Sequence, residues 1–168
     1  MKKIFNVAVK ISFSVLVILS VLISAVGCGS DYTVENFTVY DADMKAVELE
    51  DYIGKPIVLN FWATWCYYCT LEMPDFNEAY KKYPEVQFMM INYTDGKNET
   101  VEKAAAYIEE NGYEFPIFFD TTLQAAEKYG VEAFPMTFFI SADGNLVDSH
   151  RGAMNGAKLE EYLTELVK

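Results

Sequence analysis

Two cysteines separated by two tyrosines, Cys66 and Cys69, carry the clearest chemistry in this sequence. The apolar run PIVLNFW at residues 56–62 precedes them, and TLEM at residues 70–73 follows them. A Cys-x-x-Cys pair between a buried strand and a helix is typical of a redox-active dithiol. At the start of a helix, unpaired N–H groups and the helix dipole lower the pKa of a thiol. We therefore predict that Cys66 attacks disulfides and that Cys69, one turn later, resolves the mixed disulfide.

Two other interpretations of this cysteine pair are weaker. A closed zinc site takes four ligands, and beyond the pair the sequence offers only Cys28 and the single histidine, His150. A purely structural disulfide between these cysteines would close a very small ring, which stabilises a fold little. We therefore predict no metal site, and His150 is interpreted as a surface or structural residue.

The first 27 residues have the order of a secretion signal. Lys2 and Lys3 give a basic start, residues 11–26 are apolar, and small residues follow. The segment AVGC at residues 25–28 resembles a bacterial lipoprotein box, in which the cysteine is acylated and becomes the new N-terminus. Cys28 is therefore the predicted lipidation site.

The chain accordingly divides into three predicted segments. Residues 1–27 form a lipoprotein signal peptide, residues 28–35 a lipidated tether, and residues 36–168 one folded domain. An uncleaved membrane anchor and an ordinary cleaved signal stay open, although sixteen apolar residues with four serines are short for a membrane span. All three alternatives place the folded domain outside the cytoplasm, and the favoured lipid anchor places it on the extracytoplasmic face of a bacterial cell membrane.

Composition narrows the class of protein and its partners. The 168 residues have room for one domain and a short appendage, and a hydrophobic fraction of 52% supplies a core. The formal net charge of −12 argues against nucleic acid as a partner.

The pattern of strands and helices predicts an α/β sandwich with a central mixed sheet flanked by helices. Residues 56–62 are apolar on both faces, as a buried central strand requires. Further strands are predicted at residues 37–40, 45–48, 86–93, 115–119, 136–140 and 146–150. Helices are predicted after the cysteine pair, from residue 100 to 110, from residue 123 to 129 with Thr121 or Thr122 as its cap, and from Asn155 onward.

Three stretches in fixed order resemble the TlpA/ResA-type membrane-anchored thiol–disulfide oxidoreductases of the thioredoxin superfamily. They are GKPIVLNFWATWC at residues 54–66, YGVEAFPMTFFI at residues 129–140 and the turn at residues 143–144. The resemblance runs from about residue 36 to the C-terminus. It implies a thioredoxin-like sandwich with an N-terminal β-hairpin extension and no cofactor besides the redox-active disulfide. It also implies a monomer that reduces protein disulfides with electrons from a membrane thiol donor.

The resemblance also implies roles for residues outside the cysteine pair. At the place of Pro135 the family has a cis proline beside the dithiol, which exposes the preceding backbone to an extended substrate segment. The bulky neighbours of this proline should make the rim of the site more apolar than in the family. The predicted substrate-binding residues share an aromatic or apolar side chain next to the dithiol: Trp65, Tyr67, Tyr68, Phe134 and Met136.

Proton transfer to and from the buried cysteine needs a carboxyl group, and two candidates stay open. Cytoplasmic thioredoxins have an aspartate at the place of Asn60, which a neutral amide cannot replace. Proteins of the resembled type can use a carboxyl group from the loop after the next strand, where this chain has Asp95. Asp95 is therefore the predicted proton carrier, and Glu72 on the first helix is its competitor.

Two rival functions from other classes remain. A thiol peroxidase of the peroxiredoxin type shares the fold, but it needs Thr or Ser three residues before the nucleophile and an arginine that holds the peroxide. This chain has Ala63 at that place, and its single arginine is Arg151, late in the chain. The other rival is a binding lipoprotein in which the cysteines are idle.

Overall fold

The computed structural model of the protein describes residues 34–168. The predicted signal peptide and the lipidation site Cys28 therefore lie outside the described residues, as does all of the tether before residue 34. Within residues 34–168, no helix has the length and the apolar composition that crossing a membrane requires.

One mixed sheet organises the described part of the chain. Its seven strands are β1 (Thr38–Tyr40), β2 (Ala46–Glu48), β3 (Ile57–Trp62), β4 (Gln87–Asn92), β5 (Ile117–Phe119), β6 (Met136–Ile140) and β7 (Leu146–Arg151). They lie in the order β2-β1-β5-β4-β3-β6-β7. The pairs β3–β4 and β4–β5 are parallel, whereas β6 and β7 form an antiparallel hairpin beside β3. β1 and β2 form the predicted N-terminal hairpin, which joins the sheet through β5.

Four α-helices complete the described fold: α1 (Tyr67–Lys82), α2 (Val101–Asn111), α3 (Gln124–Lys128) and α4 (Gly156–Leu166). A short 3-10 helix over Leu49–Tyr52 follows β2. The two faces of the sheet bury separate cores. One core contains side chains of α1, α2 and α4, and the other contains side chains of α3 and the 3-10 helix. The predicted sandwich with its mixed central sheet is therefore confirmed.

Strand β3 shows how the sequence sets up both cores. All six of its residues are buried, as its uninterrupted apolar pattern predicts. Because successive side chains of a strand point to opposite faces, Val58 and Trp62 enter the core that contains α1. Ile57, Leu59 and Phe61 enter the other core. By the same alternation, Asn60 points toward α1.

The predicted cap of α3 is wrong. Neither Thr121 nor Thr122 caps this helix, and Leu123 stands at its N-cap in a left-handed conformation with a φ of 60°. The fully buried carboxyl group of Asp120 accepts the N–H of Ala126 at 2.9 Å instead. A threonine next to the helix is the usual cap, but here the acceptor that reaches the helix N-terminus comes from the end of β5.

Candidate active site

The cysteine pair lies at the junction of β3 and α1. Cys66 is the N-cap residue of α1, and its sulfur accepts the N–H of Cys69 at 3.1 Å. The two cysteines form a disulfide, with their Cα atoms 5.2 Å apart. Cys66 is 7% exposed and Cys69 is fully buried. An incoming sulfur can therefore approach Cys66 more readily than Cys69, which agrees with the predicted division of labour.

Pro135 occupies the loop before β6. The peptide bond between Phe134 and Pro135 is cis, as the resemblance implies. The carbonyl of Pro135 accepts the N–H of Gly152 at 2.9 Å, so the residue that follows β7 helps to hold this loop. The ring of the half-buried Phe134 meets the ring of Trp65 edge to face, with 5.7 Å between centroids. This contact joins the proline loop to the turn that precedes Cys66.

Aromatic side chains cover the surface next to Cys66. Trp65, Tyr67 and Tyr68 are 50%, 68% and 62% exposed, and Leu71 is exposed as well. Met136 is half-buried and packs against the second core rather than standing free. Several large exposed apolar side chains so close together in sequence are unusual for a soluble domain and are typical of a binding surface.

Glu72 is the carboxyl group that the fold places beside the buried cysteine. It lies three residues after Cys69 on α1, on the same face of the helix, and is only 2% exposed. Its Oε1 atom accepts a hydrogen bond from Asn60 Nδ2 at 2.9 Å, and its Oε2 atom accepts one from Met154 N at 3.0 Å. Burial raises the pKa of Glu72 from its usual 4.5 to about 7, although the hydrogen bonds from Met154 and Asn60 lower it. A carboxyl group with this pKa can take up and release a proton near neutral pH.

Asn60 positions this carboxyl group. Its side-chain amide is fully buried and donates to Thr137 Oγ1 at 3.0 Å as well as to Glu72. Strands β3 and β6 therefore fix the orientation of a glutamate that belongs to α1. Asn60 cannot titrate, as its residue type indicates. The titratable group is the carboxyl group of Glu72, to which Asn60 donates its hydrogen bond.

Asp95 has a different environment from the one expected of a proton carrier. Its Oδ1 atom accepts the N–H groups of Lys97, Asn98 and Glu99 at 2.8, 2.8 and 3.0 Å. Backbone hydrogen bonds, chiefly those from Glu99 and Lys97, lower the pKa of Asp95 to about 2. Since such a group is charged and only weakly basic at neutral pH, its geometry fits the ordering of a loop better than proton transfer.

A second buried carboxyl group, Glu99, was missed by reasoning from the sequence. It is fully buried and binds the turn before Cys66 through Thr64. In the sequence it stands in the polar stretch TDGKNET, where nothing distinguishes it from the exposed residues around it. Only the three-dimensional contact with Thr64 identifies it.

His150 and Arg151 are neighbours at the end of β7, and Ala63 follows β3. His150 packs against the ring of Tyr162 with 5.9 Å between centroids, on the hairpin of β6 and β7. Arg151 is exposed at the end of β7, opposite Met136 in the register of the sheet, and Ala63 is buried. Within residues 34–168, no three side chains of His, Cys, Asp or Glu are grouped so that they could hold a metal ion.

Comparison with known proteins gives the class of this arrangement. A model of the AhpC/TSA family matches residues 31–149. The thiol-disulfide oxidoreductase ResA of Bacillus thuringiensis subsp. konkukian is 35% identical over 131 residues, which cover 78% of this chain and 75% of the relative. ResA of Bacillus subtilis is 33% identical over 137 residues, which cover 80% and 73%.

A solved structure agrees with this class. The exposed lipoprotein thioredoxin Etrx1 of Streptococcus pneumoniae superposes with a TM-score of 0.68 at 30% identity, covering 79% of this chain and 100% of that one. The chain therefore belongs to the AhpC/TSA family and is a thioredoxin-like thiol–disulfide oxidoreductase of the ResA type. The predicted family, fold and enzyme class are confirmed.

The raised pKa of Glu72 has a measurable consequence for stability. Between pH 4.5 and 7 the unfolded chain loses the proton of this group while the folded oxidised protein keeps it, so the free energy of unfolding falls as the pH rises. The shift corresponds to a loss of roughly 2 to 4 kcal/mol, complete above about pH 8. Glu72→Gln should remove this component from the pH dependence.

Urea unfolding of the oxidised wild type and of Glu72→Gln across this pH range measures the difference. Glu78→Gln, a change at an exposed position of the same helix, is the control and should leave the slope in place. Parallel stability curves for wild type and Glu72→Gln would show that Glu72 titrates in its ordinary range.

Proposed function

We propose that this protein reduces protein disulfides on the extracytoplasmic face of a bacterial cell membrane, to which it is held by a lipid on Cys28. The observation that carries the reductase proposal is the asymmetry of the cysteine pair. Cys66 is 7% exposed beside exposed aromatic side chains, whereas Cys69 is fully buried one turn before a carboxyl group whose pKa is about 7. Such a pair can attack a large partner with one sulfur and release it with the other.

The reaction balances as two successive exchanges. The Cys66 thiolate attacks one sulfur of the client disulfide, and the other client sulfur leaves as a thiolate. The Cys69 thiolate then attacks Cys66 Sγ in the mixed disulfide, so that the Cys66–Cys69 disulfide forms and the second client thiolate leaves. The dithiol is oxidised by two electrons, and the client takes up two protons and becomes a dithiol. A membrane thiol donor would return the protein to its reduced form, and neither a metal nor an organic cofactor takes part.

In this mechanism Glu72, rather than Asp95, accepts the proton of Cys69. Burial raises the pKa of a thiol, so the second exchange needs a base near the buried sulfur. Glu72 lies on the same helix face as Cys69 and has a pKa near neutrality. The Oδ1 atom of Asp95 already accepts hydrogen bonds from three backbone N–H groups, and the pKa of Asp95 is about 2.

The client would lie against the aromatic surface and the proline loop. Trp65, Tyr67 and Tyr68 offer exposed rings, and the half-buried Phe134, whose ring contacts Trp65, and the half-buried Met136 flank Pro135 in the chain. Aromatic side chains contribute large contact areas at low cost in conformational entropy, which suits clients of varied sequence. We propose that the protein binds such clients as a monomer.

The lipid anchor is supported by the sequence around Cys28 and by one structural relative. Residues 25–28 have the form of a lipoprotein box, and Etrx1, at 30% identity, is a lipoprotein thioredoxin. The anchor would keep the domain close to a thiol donor in the membrane and to clients outside the cytoplasm.

The roles of the two cysteines can be separated by trapping. Cys69→Ser should accumulate mixed disulfides with client proteins because Cys66 can attack but nothing resolves the product. Cys66→Ser should accumulate few, since the remaining sulfur is buried. Diagonal non-reducing gels of both variants measure the difference, and the reverse pattern would invert the assignment.

Insulin reduction and peroxide consumption, measured side by side for the wild type, test the reaction class itself, and peroxide consumption without insulin reduction would contradict the proposal.

The proton carrier can be identified by kinetics. Glu72→Gln should slow resolution of a preformed mixed disulfide by about one to two orders of magnitude and remove the rise in rate around pH 7. Asp95→Asn is the matched control, because the asparagine keeps the Oδ1 acceptor of the loop, and its rate should stay at the wild-type value. Single-turnover measurements across pH distinguish the two variants. A slow Asp95→Asn beside a normal Glu72→Gln would reverse the assignment.

The anchor is tested by mass and by fractionation. Wild-type protein purified from a bacterial membrane should have the mass of a chain that begins at Cys28 with attached lipid. Cys28→Ala should leave an uncleaved precursor or release the domain from the membrane. A wild-type mass that begins at another residue and lacks lipid would rule out the lipoprotein.

A further inference from the structure

The buried carboxyl group of Glu99 holds the turn that leads into the nucleophile. Its Oε1 atom accepts the N–H of Thr64 at 3.0 Å, and its Oε2 atom accepts the hydroxyl of the same residue at 2.7 Å. Glu99 is fully buried, and Lys103 Nζ lies 3.8 Å from Oε2. Both polar groups of Thr64 that can donate a hydrogen bond are therefore bound to one carboxyl group that comes from another part of the chain.

Thr64 occupies a sensitive place in the chain. The N–H of Cys66 donates to the carbonyl of Ala63 at 3.1 Å, so residues 63–66 form a turn with Thr64 and Trp65 at its centre. Any movement of Thr64 would pass directly to Trp65, whose ring contacts Phe134, and to Cys66. Glu99 is thus the side chain that binds the centre of this turn.

The carboxyl group is itself held by the sheet. Asn92, the last residue of β4, donates from Nδ2 to Glu99 Oε1 at 2.8 Å, and its own Oδ1 accepts the hydroxyl of Thr94 at 2.8 Å. The backbone N–H of Glu99 donates to Asp95 Oδ1. These bonds give Asp95 a structural task, which is to shape the loop that presents Glu99. The turn before Cys66 is therefore tied to β4 through fully or nearly fully buried groups.

We propose that Glu99 is a positioning residue for the reaction with protein disulfides, which it supports by fixing Trp65 and Cys66 relative to Phe134 and Pro135. The inference rests on the proposed function, because it assumes that a client segment lies along these residues. A small disulfide needs access only to the Cys66 sulfur. A protein disulfide needs the surrounding surface in register as well, so loss of Glu99 should affect protein clients more than small ones.

Paired variants separate positioning from charge and from folding. Glu99→Ala removes every contact to Thr64. Glu99→Gln can keep them, because the Gln oxygen can accept from Thr64 N and Asn92 while its amide donates to the Thr64 hydroxyl. Thr64→Val and Thr64→Ser form the matching pair on the other side of the contact.

The measurement compares second-order rate constants for insulin and for hydroxyethyl disulfide, with each reduced variant held well below its unfolding temperature. Glu99→Ala should lower the insulin rate by about tenfold to a hundredfold, as displacement of reacting groups does, and lower the small-disulfide rate by less than about threefold. Both rates of Glu99→Gln and of Thr64→Ser should stay within about threefold of the wild type. Thr64→Val should also lose more of its insulin rate than of its small-disulfide rate, but by a smaller factor than Glu99→Ala.

The outcomes discriminate between the possible failures. Equal losses on both substrates, or an unchanged insulin rate in Glu99→Ala, would overturn the positioning role. If Glu99→Ala does not fold, the comparison of Thr64→Val with Thr64→Ser decides, and equal insulin rates in these two variants would overturn it. A wild type that reduces hydroxyethyl disulfide but not insulin would overturn the proposed function. The positioning role of Glu99 would then fall too, because it assumes that function.

Discussion

The arrangement of this protein depends on how β3 passes into α1. The strand ends at Trp62 and the helix begins at Tyr67, so only four residues lie between a fully buried strand and a helix N-terminus. The first N–H groups of a helix have no partner within it, and here the sulfur of Cys66 accepts one of them. This junction leaves Cys66, the proposed nucleophile, 7% exposed and keeps Cys69 fully buried.

Three carboxyl groups near the site show how environment, rather than residue type, decides the role of an acid. Glu72 is buried with two donors, and its pKa is raised to about 7. Asp95 receives three backbone amides at a more exposed position, and its pKa is lowered to about 2. Glu99 is buried and its two oxygens accept three hydrogen bonds, which connect the turn at Thr64 to Asn92 at the end of β4. Desolvation favours the neutral form of an acid, whereas donated hydrogen bonds favour its charged form, so the balance of the two separates Glu72 from Asp95.

The parts of the site that the sequence could predict are those that depend on local pattern. The cysteine pair follows a strand that is apolar on both faces, and the proline precedes another strand, so both positions could be placed from neighbours in the chain. The choice between Asp95 and Glu72 could not be made in this way. The partners of Glu72 are Asn60 and Met154, which are 12 and 82 residues away along the chain. Burial of Glu99 likewise depends on Thr64, 35 residues away, and the true acceptor for α3 is Asp120 rather than the nearer threonines.

The pairing of Asn60 with Glu72 explains why the carboxyl group can stand on the helix in this chain. Cytoplasmic thioredoxins carry an aspartate at the strand position, where Asn60 now donates to Glu72 over 2.9 Å. An aspartate at this place would bring two carboxyl groups within hydrogen-bonding distance in a buried site. One of them would then have to stay protonated, because two like charges so close cannot both be ionised. The neutral amide avoids this repulsion and supplies a donor, so that of these two residues only Glu72 can titrate. The Asn60 amide on β3 and the Glu72 carboxyl group on α1 therefore act as one unit, because each supplies a hydrogen-bond partner to the other's buried polar group.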